Sequence, residues 1–191
     1  MSAARKHPMT LDAFLDWESR QDQKHEFDGF GPVAMVGVSV EHSVIQRNLL
    51  GLLYNRLHGH RCEVLGSNVK IAMAGRVRYP DAFIVCTPLP RGTLIVNDPV
   101  VVFEIVSPGS AYRDRFEKNW EYRDTPSIQT YVILEQTHIA ATVFSRNGTD
   151  WAGHALPADA ELAFPEIGIT VPLADLYEGV TFPPEREETE T

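Results

Sequence analysis

Two carboxylates in this chain stand where their surroundings make them costly. Tyr79-Pro80-Asp81 opens onto Ala82-Phe83-Ile84-Val85, which puts Asp81 at the mouth of an apolar segment, and Glu104 interrupts the run from Val100 to Val106. A carboxylate in such a run needs a partner, either a metal ion or an opposite charge. A polar stretch downstream carries Lys118. Aspartate, glutamate and lysine on adjacent elements suit metal-assisted phosphodiester cleavage. The acids form a hard oxygen site for Mg²⁺ or Mn²⁺, with the main-chain carbonyl of Ile105 as a further candidate ligand. Such an ion polarises the ester and lowers the pKa of an attacking water, and lysine meets the charge that develops on the phosphate.

The elements that must position these groups are legible as patterns. Thr10 is placed to cap a helix from Leu11 to Trp17, and Asp28-Gly29 marks a hairpin within residues 26–36. Ser39 to His58 reads as the best helix, with Val44, Ile45, Leu49, Leu52, Leu53 and Leu57 mostly three or four apart and Gly59 ending it. Segments 61–65 and 68–73 read as short strands, with a turn after them at residues 74–76. Segments 82–86, 100–106 and 130–134 are nearly continuous in β-branched and apolar residues, as strands covered on both faces are. A polar helix from Tyr112 to Tyr122 lies between the last two, closed off by Pro126. On it Asp114, Lys118 and Tyr122 recur at four-residue spacing, so Asp114 is placed to hold Lys118, and Tyr122 to meet substrate or to pack. Segments 140–145 and 151–156 form a hairpin around Asn147-Gly148, and residues 167–177 return as a strand and a short turn. The reading is an α/β (α+β) fold with a mixed sheet, one domain over residues 1–191 whose ends, 1–9 and 182–191, are loose.

Composition narrows the class. The chain has 191 residues and 43% apolar content, which is globular, and no apolar run reaches membrane-span length. No apolar signal core succeeds Arg5 and Lys6, and Cys62 and Cys86 form no CxxC pair, so the expectation is a cytoplasmic protein with two reduced thiols. The net charge of −9 argues against non-specific nucleic-acid binding through a basic face. The acidity is partly local to residues 185–191. Lys70, Arg76, Arg78, Arg113, Arg115, Lys118 and Arg123 gather around the candidate site.

The ordered set resembles a bacterial family. Tyr79-Pro80-Asp81, Phe103 to Ser110, Arg113-Asp114 and Glu117-Lys118 through Tyr122 are similar to the restriction endonuclease family of small stand-alone proteins within the PD-(D/E)XK nuclease superfamily. The likeness runs from about Thr10 to Tyr177 and takes in Glu26, Asp28-Gly29, His42, Asn48-Leu49 and Pro172-Leu173. It implies a restriction-endonuclease-like core and divalent-metal cleavage of nucleic acid, with DNA as the expected substrate. It carries the acidic pair onto Asp81 and Glu104. Where the superfamily pattern has lysine two residues after the acid, this chain has Val106, and the resemblance moves that lysine to Lys118.

Each residue also has a plain reading. Asp81 after Pro80 fits a turn, and Glu104 fits a buried ion pair with Lys118 or Arg78. Glu26 reads first as a hairpin end and second as a further acid of the site. His42 reads first as a helix-terminal histidine satisfied by local backbone, second as a contact to phosphate or water. His58, His60 and Cys62 match no zinc spacing. Ser107-Pro108-Gly109-Ser110 is a phosphate-binding turn or a connecting loop, and Trp17 and Trp120 read as packing before base stacking. The leading function is a Mg²⁺-dependent endonuclease, a homodimer if it cuts duplex DNA. Its rival is a nuclease fold with idle chemistry that acts by binding or interaction.

Overall fold

The computed structural model describes residues 9–107 and 113–182, with the side chains of Arg113 and Asp114 outside that description. The expected loose ends fall almost wholly outside it. Helix α1 (Leu11–Glu18) starts at Thr10, whose side chain accepts the amide of Ala13 at 3.2 Å. Strands β1 (His25–Phe27) and β2 (Pro32–Ala34) form the expected hairpin, and Asp28 Oδ1 accepts the amides of Phe30 and Gly31 in its turn. Helix α2 (Val40–Leu57) is capped by Ser39, and its Ile45, Leu49, Leu53 and Leu57 are buried on one face. Then come β3 (Glu63–Gly66), β4 (Lys70–Met73), β5 (Arg76–Arg78), β6 (Ala82–Val85), β7 (Ile95–Val96) and β8 (Pro99–Val106). A π-helix (Arg113–Lys118) runs directly into α3 (Asn119–Asp124), so the expected polar helix is wound in two pitches. Strands β9 (Thr130–Glu135), β10 (Ala141–Asn147), β11 (Asp150–Leu156), β12 (Glu161–Phe164) and β13 (Ile169–Pro172) precede a 3₁₀ turn at Ala174–Tyr177. The β10–β11 turn centres on Gly148 and Thr149, with φ of +65° at Gly148, a position where glycine carries no steric penalty.

The principal sheet has the order β11-β10-β9-β8-β6-β3, with β8 and β9 parallel and the other pairs antiparallel. A second sheet, β2-β1-β5-β4-β7, carries the front hairpin, and β12-β13 pair separately. Strand β8 is the centre of the molecule because its side chains alternate between two cores. Val101, Phe103 and Ile105 pack with Ile45, Leu49 and Leu53 of α2, whereas Val102 and Val106 pack with Phe83, Tyr122 and Tyr131. Glu104 belongs by this alternation to the second face, where the helix after β8 lies.

One expectation is overturned. Cys62 and Cys86 are bonded as a disulfide. They stand one residue beyond the pair Glu63↔Val85 of β3 and β6, so strand pairing brings them together. Nothing in their sequence spacing signals this, because the register of β3 on β6 is non-local.

Candidate active site

Strand pairing assembles the acids. Ala82 pairs with Phe103 and Phe83 with Val102, so Asp81 stands opposite Glu104 one step further along the same antiparallel ladder. Residues directly opposite in such a ladder share a face and lie close together. Asp81 is held by the Ile105 N–H, which donates to Oδ2 at 2.7 Å, and by His42 Nε2 at 3.2 Å from the same oxygen. Its main-chain carbonyl accepts from Gln46 Nε2 at 2.8 Å, which ties the strand mouth to α2. Among the described residues both side-chain contacts of Asp81 fall on Oδ2.

Glu104 is buried and its Oε1 accepts two bonds, from Lys118 Nζ at 2.9 Å and from the Tyr122 hydroxyl at 2.6 Å. The four-residue spacing of Lys118 and Tyr122 is what lets both reach one oxygen. Burial pushes the Tyr122 hydroxyl well above its ordinary pKa, and the charge of Glu104 adds to that, so it remains a donor. The plain reading of Glu104 as an ion pair is therefore met by Lys118, and Arg78 pairs elsewhere. Asp114 lies in the π-helix, with its side chain outside the described residues.

Glu26 is not a simple hairpin end. It is buried, with Oε1 3.4 Å from Lys118 Nζ and 3.2 Å from the Tyr79 N–H, and Oε2 3.3 Å from Arg78 Nη1. Burial alone would raise its pKa, but Lys118 and Arg78 outweigh that and hold it below the ordinary carboxylate value. Arg78, only 1% exposed, makes a two-pronged pair with Glu121, Nε to Oε2 at 2.8 Å and Nη2 to Oε1 at 2.7 Å. Burial works against its charge, and Glu121 and Glu26 more than restore it. A buried chain of charges thus runs from Glu104 through Lys118, Glu26 and Arg78 to Glu121. Sequence reading missed Glu121 and assigned Arg78 no place of its own. Their signal was present, since charged residues stood beside apolar ones at Val77-Arg78-Tyr79 and Trp120-Glu121-Tyr122.

His42 departs from its first expectation. Its side chain is buried against Asp81 and not against local backbone, and among the described residues its Nδ1 has no hydrogen-bond partner. Glu26, His42, Tyr79, Asp81, Glu104, Ile105, Ser107 and Lys118 all line one cavity of about 240 Å³, walled on one side by residues 34–39. Residues 108–110 of the proposed phosphate-binding turn lie outside the described residues. His58, His60 and Cys62 line a separate cavity at the end of α2.

The donor set fits a hard divalent cation. Asp81 and Glu104 both line the cavity of about 240 Å³, and among the described residues Asp81 uses Oδ2 for its side-chain contacts. Among the described residues no group of three or more His, Cys, Asp or Glu could hold a metal by itself. Two carboxylates with positions left for water and substrate phosphate is the usual binding mode of Mg²⁺.

Residues 11–173 match the sequence profile of the Uma2 family, described as "Putative restriction endonuclease". Over 178 residues the chain is 32% identical to the uncharacterized protein slr1290 of Synechocystis sp., covering 91% of this chain and 94% of that one. A second Synechocystis protein, the uncharacterized sll1609, is 26% identical over 142 residues, 71% of this chain and 80% of its own length. Among solved structures, a "putative nuclease belonging to DUF820" from Anabaena variabilis superposes with a TM-score of 0.77 at 16% identity, covering 91% of this chain and all of that one. The fold is therefore nuclease-like, with mixed sheets flanked by helices. No helix among the described residues is long and apolar enough to cross a membrane.

Proposed function

Because this chain belongs to the Uma2 family, we propose that it is a divalent-metal-dependent endonuclease that hydrolyses phosphodiester bonds of nucleic acid, with DNA as substrate. The observation that carries this reading is Asp81 opposite Glu104, with Lys118 Nζ 2.9 Å from Glu104, in one cavity. Asp81 and Glu104, joined by the carbonyl of Ile105, would hold Mg²⁺ or Mn²⁺. When bound, the ion supplies positive charge beside the scissile phosphate and makes a nearby water more acidic.

The chain's own residues do the rest. Ile105 N–H and His42 fix one oxygen of Asp81, so its carboxylate is oriented before substrate arrives. Glu104 and Glu26 hold the Lys118 ammonium in the cavity, where it meets negative charge that grows on the phosphoryl oxygens. Tyr122 keeps Glu104 in place from the core side. We further propose that residues 1–191 act as one catalytic unit, paired as a homodimer when the substrate is a duplex.

The test is cleavage of plasmid and single-stranded DNA with Mn²⁺ or Mg²⁺ by wild type, Asp81→Asn and Glu104→Gln. Turnover is expected to fall about 100-fold or more in both variants. Two variants as fast as wild type would remove the assignment.

One observation favours a second reading, an idle nuclease fold that acts by binding. Lys118 and Tyr122 already satisfy Oε1 of Glu104, so the buried charge is compensated without an ion. No saturable Mn²⁺ binding up to millimolar concentration, together with no cleavage, would select it.

A further inference from the structure

Among the described residues the cations near the site are largely spent inside the protein. Lys70 pairs with Glu18, Arg76 and Arg78 with Glu121, Arg115 with Glu135 and Lys118 with Glu104. Arg123 lies over the rings of Phe144 and Trp151. With a net charge of −9 besides, phosphate contacts alone give this protein little grip on nucleic acid. If it acts on nucleic acid, most of the affinity has to come from elsewhere.

A second cavity, of about 460 Å³, lies beside the active-site helix and is lined by Asp28, Phe30, Arg76, Phe116, Glu117, Trp120 and Glu121. Its aromatic rings are exposed, Phe30 at 72%, Phe116 at 63% and Trp120 at 61%. The sequence reading of Trp120 as packing is therefore overturned, whereas Trp17 does pack, against the small core of Phe14, Phe27 and Val77. Arg76 lies over the Trp120 ring, 5.8 Å from its centre, and its Nε is 3.0 Å from Glu121 without hydrogen-bond alignment. Asp28 commits only Oδ1 to its turn. Rings with a stacked guanidinium and a carboxylate acceptor match a nucleobase, which has two π-faces and, in adenine and cytosine, an exocyclic amine.

We propose that this cavity is a stacking site for an unpaired nucleobase, and that the substrate is single-stranded or locally unpaired nucleic acid. This rests on the nuclease reading for its link to chemistry. Trp120 on α3 stands two residues from Lys118, which ends the π-helix, and two from Tyr122, so a base held on its ring sits within one helical turn of the residues that reach Glu104. Glu121 ties the two places together, since it lines the second cavity and anchors Arg78, which in turn holds Glu26.

The experiment is fluorescence anisotropy of labelled single-stranded oligonucleotides in EDTA, with wild type, Trp120→Ala, Phe30→Ala and Asp81→Asn. Exposed Trp120 and Phe30 can be replaced with the fold intact, to be checked by circular dichroism. Affinity is expected to fall about 5- to 150-fold in Trp120→Ala, with a smaller fall in Phe30→Ala. An abasic oligonucleotide is expected to bind wild type as weakly as the normal one binds Trp120→Ala. Unchanged affinity in Trp120→Ala overturns the proposal. So does a shift from dimer to monomer on sedimentation with oligonucleotide binding unaltered, which would make the rings a self-association face. Cleavage assays with Mn²⁺ on the same proteins, with Asp81→Asn as the control for the catalytic site, separate the two ideas: Trp120-dependent binding without any cleavage by wild type would support the stacking site and sink the nuclease reading, while cleavage indifferent to Trp120 and Phe30 would do the reverse.

Discussion

Lys118 donates to Glu104 across 2.9 Å from the helix C-terminal to the glutamate's strand, and not from the strand itself. Val106, two residues after Glu104, points into the core with Phe83 and Tyr131. A lysine head group can reach the same point from a different element, and here the π-helix ending at Lys118 delivers it.

Removing that ammonium leaves Glu104 and Glu26 buried with a shared partner gone. Lys118→Met is expected to lower unfolding free energy by about 3–5 kcal/mol. The double variant Lys118→Met/Glu104→Gln should recover part of the loss, because an uncompensated charge is removed. Urea unfolding of the two variants and wild type checks both statements, and equal midpoints for the single and double variants would count against the pairing.

Tyr122→Phe keeps the ring in its core and deletes the hydroxyl that donates to Glu104 at 2.6 Å. A bond to a charged acceptor contributes about 1.5–3 kcal/mol. Loss in that range by chemical denaturation is expected, whereas an unchanged midpoint would mean that Tyr122 acts by packing alone.

Glu26 gives the protein a dependence on acid. Its folded pKa is depressed below the ordinary 4.5 by Lys118 and Arg78 acting against burial, so the folded state binds fewer protons than the unfolded state in that range. The stabilisation is full above about pH 4.5 and is lost as pH falls through the folded value. Urea midpoints between about pH 6 and 3 should therefore drop less steeply for Glu26→Gln than for wild type, on top of a lower stability at the upper end. Parallel curves would deny Glu26 this part.

The Cys62–Cys86 bond closes a separation of 24 residues. Loop-closure entropy of that size corresponds to about 3 kcal/mol. Reduction, or Cys62→Ser/Cys86→Ser, is expected to lower Tm by roughly 6–12 °C for a chain of this length. Scanning calorimetry with and without dithiothreitol reads this directly, and a Tm insensitive to both would show that the bridge constrains nothing.

Much of the scaffold was legible because it is written locally. Thr10 and Ser39 cap their helices, the apolar spacing of α2 fixes its buried face, and the β-branched runs of β6, β8 and β9 become the central strands. Strands β5 and β7, of three and two residues, were not legible because pieces so short carry no period, and β12 was missed although its burial alternates along Glu161–Phe164. The candidate acids were visible for the same local reason, being charges in apolar runs.

Local pattern was enough to name the acids that need compensation, Asp81 and Glu104, whereas Lys118 was reached through those acids and the family resemblance. Which group compensates which is a product of packing. The β6–β8 register puts Asp81 beside Glu104, α2 brings His42 to Asp81, and the front hairpin inserts Glu26 between Lys118 and Arg78. A buried charge takes whatever counter-charge the packing brings within about 3 Å, and that choice depends on elements dozens of residues apart. The same packing closed the disulfide and left Trp120 exposed at a cavity, neither of which any local pattern specifies.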